Sequence, residues 1–441
     1  MIKNHKLQLI LLFILIAQSK FAIGVPEIET WNTSQGARVL FIETHSLPMV
    51  DIRVVFSAGS ARDTDKPGVA LLTNALMSSG AGKLNADDIA ERLEDVGANM
   101  SNEALRDMAM VSLRTLTEPA KLQQALNVMQ VVVTQPTFPE RDLARDKERL
   151  LASIKRKQQS PEAIATDAFY AALYGDHPYA RPSEGTEESI AKIRRSDLKD
   201  FHQQYYVGRN AVVAVVGDLT RASAEKYVEQ LLHGLTEGSV PEPIPPVPAL
   251  KEGQEIRIPM PTTQTTVIMG QPGMKRGDDD YYALYVGNHI LGGSGFASRL
   301  MQTIREDRGL VYDVHSYFLP MAGYGPFQAG MQTRNEQVEE ALLLLHEQIS
   351  SFIEQGPTAV ELEKSVKNIT GSFPLNIDSN SNLVSYLAMI GFYNLPLDYL
   401  NTFNKHVKEV TVAKIKDAFT RRMHPERFVT ILVGGGVSTG Q

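Results

Sequence analysis

The chain carries one helix, turn and strand arrangement twice, on either side of a proline-rich segment, and that repetition limits its fold more than any other feature. KIRRSDLKDFHQQYYVGRNAVVAVVGDL precedes the segment and EVTVAKIKDAFTRRMHPERFVTILVGGG nearly closes the chain. Each reads as an amphipathic helix, a polar turn and a buried apolar strand, with Ala211 to Gly217 and Phe428 to Gly434 in equivalent places. Solenoid units run to about 50 residues at most, so a repeat of about half the chain is too long for one and signals tandem duplication of a domain.

Between the copies, VPEPIPPVPALKEG holds Pro241, Pro243, Pro245, Pro246 and Pro248 and reads as a semi-rigid spacer. The expected organisation is a leader over 1–24, an N-terminal domain over 25–238, a linker over 239–255 and a C-terminal domain over 256–441. RVLFIETH, MVDIRVVFSAG and MAMVSLRTL read as strands, and Pro67 to Ser79, Asn85 to Val96 and Pro119 to Val133 as helices. Strands separated by long helices, with at least one hairpin-like pair at the start, predict an α+β fold. Each domain is expected to be a mostly antiparallel sheet covered by helices on one face.

Lys3 and Lys6 precede an apolar run from Leu7 to Ala17 and a small-residue site ending at Gly24, the pattern of a cleaved signal peptide. The mature chain is therefore expected in the periplasm or outside the cell, with no membrane anchor after cleavage. Removing 1–24 takes away Lys3, Lys6 and Lys20, so the formal charge goes from -7 to -10. That acidic balance argues against nucleic acid as a partner. There is no Cys, hence no disulfide and no thiolate nucleophile.

The stretch SRLMQTIREDRGLVY, Ser298 to Tyr312, carries the chemistry. Leu300, Met301 and Ile304 recur at helical spacing, Gly309 stands where a left-handed residue ends a helix, and Val311 to Val314 begin a strand. Arg305 and Tyr312, seven positions apart, can then point at one place. An Arg guanidinium donates in a fixed fork and a Tyr hydroxyl donates to a carbonyl oxygen. Gly292, Gly293 and Gly295 just before read as a tight, backbone-close turn, since their spacing fits no nucleotide fingerprint. Arg299 and Arg308 read as helix-end and surface charges. Asp278, Asp279 and Asp280 read as an acidic cluster at a helix N-terminus.

This stretch, with Gly59, Asp63 and Gly68 after the second strand and with LNADDIAERLEDVGANM, resembles the insulinase-like (pitrilysin, M16) zinc metallopeptidases over nearly the whole mature chain. The resemblance implies a clam-like chamber and gives Arg305 and Tyr312 the family's role of holding substrate beside the scissile bond. Active members place H-x-x-E-H on the helix after the second strand, two His binding zinc and the Glu activating water. Here the aligned residues are Leu71-Leu72-Thr73-Asn74-Ala75, so Leu71 and Ala75 replace the His and Asn74 the Glu. The family's third ligand, a Glu on a later helix, falls at Ser153 or its neighbour, with Glu148 nearby. The ten His, His177 and His202 among them, are scattered with no two within a helical turn. Leu71 to Met77 is expected to be a helix whose apolar residues have joined the core.

No metal is expected in this chain. Some members of the family work as two unlike subunits, one bearing zinc and the other closing the chamber. The resemblance therefore implies a zinc-free subunit that partners a zinc-bearing H-x-x-E-H homologue and holds extended peptides. A structural scaffold, a stand-alone peptide-binding protein, and a peptidase with unusual ligands are the competing readings.

Overall fold

The computed structural model describes residues 27–435; the leader over 1–24 lies outside the described residues. The strands of the first half's main sheet are β1 Glu29–Asn32, β2 Arg38–Glu43, β3 Met49–Phe56, β4 Asn99–Ala104, β5 Ala109–Leu116 and β6 Ala211–Gly217. Those of the second are β7 Gln254–Met260, β8 Gln264–Met274, β9 Val311–Phe318, β10 Gly325–Arg334 and β11 Val429–Gly435. The sheets run β1-β2-β6-β3-β5-β4 and β7-β11-β8-β10-β9. Leaving out β1, both follow one path: first strand, last, second, fourth, third.

The register repeats as well. With β1 again left out, the only parallel pair of each sheet among the described residues is between the first strand and the last, Arg38 opposite Val212 in one and Gln254 opposite Val429 in the other. Gly217 and Gly434 occupy matching positions, with φ of 156° and 149°. A Cβ at Gly217 would sit 2.3 Å from the Met49 carbonyl oxygen, and one at Gly434 would sit 2.7 Å from that of Gln264. The duplication read from the two strand-forming tails thus extends to backbone detail.

The hairpin at the start is formed by β1 and β2, with Glu29 opposite Phe41. β1 was not anticipated, and β2 and β3 are not neighbours, because β6 lies between them, parallel to one and antiparallel to the other. The reason is burial. AVVAVVG is apolar at every position, so it suits a central strand covered on both faces. Val213 and Val215 face the first half's own helices, while Ala214 and Val216 face the second half.

Helices of the same half cover one face of each sheet, and a single helix from the other half covers the opposite face. Asn380–Phe392 packs on β2, β3 and β6, and Pro161–Tyr174 packs on β8 and β11. Gly391 permits the first approach, since a Cβ there would lie 2.4 Å from Val212 and 2.7 Å from Leu40. Phe169, Leu173 and Tyr174 seat the second helix against Ile268, Ile431 and Val433. Buried Asp107 ties the halves further, accepting from the Tyr179 hydroxyl at 2.5 Å, the Ala322 N–H at 2.7 Å and the Tyr393 hydroxyl at 3.0 Å. The proline-rich segment has no regular structure and is pinned to the first half. Arg62 donates to the Glu242 carbonyl, and His177 Nε2 donates to that of Pro245 at 2.8 Å.

Candidate functional site

The segment predicted as one helix runs from Arg299 to Glu306 and is widened, with the Asp307 N–H reaching the Gln302 carbonyl five residues back. Such wide turns are uncommon and recur at functional sites. Gly309, at φ 64°, ends the helix; its N–H donates to the Arg305 carbonyl, and the Leu310 N–H to that of Ile304. Leu300, Met301 and Ile304 are buried beneath it.

β9 begins two residues later, and its pairing with β10 slips between Val311 and Val314. This bulge leaves both Tyr312 and Asp313 facing outward between buried Val311 and Val314, rather than on alternate faces. Tyr312 is 80% exposed, unusual for a tyrosine at a strand start. Arg305 lies against it, its guanidinium carbon 5.2 Å from the Tyr312 ring centre and 4.6 Å from that of Phe296. Phe296 is itself 66% exposed. The only carboxylate near Arg305 among the described residues is Glu306, at 3.6 Å, so most of its hydrogen-bonding capacity is open.

Phe296 was not singled out in the sequence. The available signal was a large apolar residue inside the glycine turn LGGSGFASRL. Gly292 presses that turn against β9, where a Cβ would sit 2.4 Å from the Ser316 hydroxyl oxygen. The turn, β9 and the helix Tyr281–Asn288 border a cavity of about 450 Å³. His289 at its edge is held between the Ser365 hydroxyl at 2.9 Å and the Asn368 side chain at 3.2 Å, and burial lowers its pKa.

Leu71, Asn74 and Ala75 lie on the helix Val69–Leu76, which Asp63 caps by accepting from the N–H groups of Gly68 and Ala70. One expectation needs correction here. Leu72, Leu76 and Met77 are core residues, but Leu71 is only half-buried and Ala75 is exposed. The positions that replace the two His stay on the open face, because a helix that buries 69, 72 and 76 turns 71 and 75 away. Asn74 is buried, and its amide donates to the Met110 carbonyl at 3.2 Å and the Tyr206 hydroxyl at 3.3 Å. Ser153 is half-buried on Glu140–Lys157, the helix packed beside this one, and Glu148 is exposed.

These side chains do not fit zinc: Leu and Ala offer no lone pair, and the Asn74 amide is already engaged. Among the described residues no group of three or more His, Cys, Asp or Glu could hold a metal. His202 Nε2 donates to the Val133 carbonyl, and its ring stacks on Tyr206 at 4.9 Å. His177 Nδ1 accepts from the Tyr179 N–H.

The insulinase (peptidase family M16) profile matches residues 38–187 and the peptidase M16 inactive domain profile matches 192–369. The chain belongs to the M16 family. A crystal structure described as a peptidase M16 inactive domain from Pseudomonas fluorescens is 40% identical and superposes with a TM-score of 0.90, covering 94% of this chain and all of that one. A Helicobacter pylori relative named non-peptidase homolog YmxG is 27% identical over 383 residues, 86% of this chain and 87% of its own. A Bacillus subtilis relative named uncharacterized zinc protease YmxG is 25% identical over 412 residues, 92% and 98% of the two chains. This chain is thus an M16 member without the family's metal ligands.

One further position differs from expectation. Arg299 is not a surface charge but a bidentate partner of Glu361, at 2.5 and 2.7 Å, and lies over Phe352. Burial pushes the Glu361 carboxyl up, but hydrogen bonds from Arg299 and Thr358 outweigh it and hold its pKa at about 2. Arg308 is exposed, 4.0 Å from Glu340, as a surface charge should be. The aspartate run stands before Tyr281–Asn288, where Asp278 and Asp280 pair with Arg422.

Proposed function

We propose that this chain is the zinc-free, substrate-holding subunit of a two-subunit M16 peptidase, exported to the periplasm by its leader and paired with a zinc-bearing H-x-x-E-H homologue. The observation carrying the reading is the pairing of half-buried Arg305 with exposed Tyr312 in a chain whose metal helix is blank. A guanidinium held between two exposed aromatic rings, with little carboxylate to occupy it, is poised for acceptors outside this chain. A substrate carbonyl beside the partner's zinc provides them. Fixed donors aimed at a developing oxyanion contribute a few kcal/mol each.

The interlocked halves support a second part of the proposal. Each half lends a helix to the other's sheet, so the chain is one shell, and a chamber closes when a second chain faces it. An extended peptide in that chamber would pair with a sheet edge, for which β4 and β9 are the free strands beside the blank helix and beside Tyr312. A scaffold would not need exposed aromatics around an open guanidinium.

The test is reconstitution with an H-x-x-E-H homologue from the same genome. Zinc and peptidase activity are expected only in the mixed complex. Arg305→Ala with Tyr312→Phe is expected to lower its activity about a hundredfold or more without dissociating it. Full activity of that complex, or zinc-dependent cleavage by this chain alone, would remove the proposal.

A further inference from the structure

A cavity of about 470 Å³ lies where the two halves meet beneath the proline-rich segment. Val240, Pro241 and Ile244 wall one side, and Val212 and Phe392 another. Four arginines reach it, Arg38, Arg62 and Arg209 from the first half and Arg276 from the second, and no Asp or Glu lines it. That is unusual in a chain with 51 acidic residues against 44 Lys and Arg.

Several partly buried guanidinium groups elsewhere are met by acceptors. Arg114 pairs with Asp51, Arg299 with Glu361 and Arg422 with Asp278, while Arg195 donates twice to the Thr137 carbonyl. In the cavity only Arg209 has an ion-pair partner among the described residues, Glu237. Arg62 uses its terminal nitrogens on the Glu242 carbonyl and the Ser57 hydroxyl, and its Nε is buried without an acceptor. Arg38 donates to the Asn394 amide oxygen at 2.7 Å, a neutral group. Arg276 lies 5.6 Å from the Tyr393 ring centre, and its Nε too is buried without an acceptor. Asp107 is close enough to pull on Arg62, but it is occupied by Tyr179, Tyr393 and the Ala322 N–H.

A guanidinium keeps its charge, and its buried N–H groups cost free energy when nothing accepts from them. Cations arriving from both halves, beside an apolar wall, therefore describe the complement of one ligand chemistry. We propose that this cavity binds a small organic anion, an apolar body bearing a carboxylate or phosphate group, whose oxygens are held by Arg38 and Arg276. The volume suits a small molecule, and the guanidinium fork matches either oxyanion with two parallel hydrogen bonds. The site is separate from Arg305 and Tyr312 and stands whether or not they hold substrate.

The experiment is calorimetric titration of the full chain with phenyl phosphate, phenylacetate and inorganic phosphate, with benzyl alcohol as the neutral control. Saturable binding of one or both organic anions is expected, stronger than that of inorganic phosphate, with none for the alcohol. Comparing the two anions identifies the preferred head group. Arg38→Gln with Arg276→Gln should weaken binding about tenfold or more, while Arg308→Gln on the surface leaves it unchanged. If the double variant does not fold, Arg276→Lys keeps the charge without the fork and should still weaken binding severalfold. No saturable binding of either organic anion at millimolar concentration, equal binding of benzyl alcohol, or unchanged affinity in the variants would overturn the assignment.

Discussion

The Arg305 guanidinium lies 5.2 Å from the ring centre of Tyr312, although the two residues belong to different elements and the tyrosine is 80% exposed. Three local devices produce this: a widened last turn, a left-handed Gly309 and a bulge at the start of β9. Phe296 closes the other side of the guanidinium at 4.6 Å. Stacking on two rings fixes the fork while leaving its N–H groups available.

Phe296→Ala should therefore loosen Arg305 without unfolding anything. The expected outcome is a loss of about two- to fivefold in the activity of a reconstituted complex, since an exposed cation–π contact contributes about 0.5–1 kcal/mol. The thermal midpoint should move little. Comparing steady-state rates with melting curves separates the two effects.

Restoring the metal motif should be harder than the three letters suggest. Leu71→His and Ala75→His fall on an open helix face and should change stability by about 0.5 kcal/mol or less. Asn74→Glu puts a carboxylate where the Met110 carbonyl requires a donor, in a site 1% exposed. A loss of about 3 kcal/mol is expected for that variant, read from chemical denaturation.

His202 sets a pH dependence of stability. Burial lowers its pKa to about 4, only partly opposed by its hydrogen bond to the Val133 carbonyl. The unfolded chain, with an imidazole near 6.5, binds the proton more readily, so the contribution is complete above pH 6.5 and is lost as pH falls toward 4. The full swing is of order 3 kcal/mol. Wild type should destabilise across that window more than His202→Gln, which keeps a donor for Val133; equal slopes in the two proteins would contradict the assignment.

Glu361 acts at lower pH. Its folded pKa of about 2 lies below the ordinary 4.5, so its pairing with Arg299 stabilises above pH 4.5 and weakens as pH falls from there to 2. In Glu361→Gln the decline over that interval should be shallower, as followed by circular dichroism.

The exchange of helices makes the halves one cooperative unit. Phe169 is fully buried between Pro161–Tyr174 and the second half's sheet. Phe169→Ala should cost about 3–5 kcal/mol. The melting curve should shift as one transition, whereas independent halves would show two.

Much was legible in the sequence because it is written in local periods and residue types. The matching tails predicted the duplication, and the apolar run Ala211 to Gly217 predicted a buried strand. The side chains at Leu71, Asn74, Ala75 and Ser153 cannot make the family's H-x-x-E-H zinc site whatever the fold. Gly309 announced the end of a helix, and the spacing of Arg305 and Tyr312 allowed them to meet. Tertiary structure decided the rest, since it depends on contacts between distant residues. Helical spacing alone did not say that Leu71 and Ala75 face outward, because that depends on what packs against Leu72 and Leu76. Period-two alternation put Tyr312 and Asp313 on opposite faces, and only the pairing of β9 with β10 creates the bulge that turns both out. Insertion of β6 between β2 and β3, the pairing of Arg299 with Glu361 and the gathering of four arginines under the proline-rich segment all join residues far apart in the chain. Such contacts arise from burial and charge satisfaction in the folded molecule, which no local pattern records.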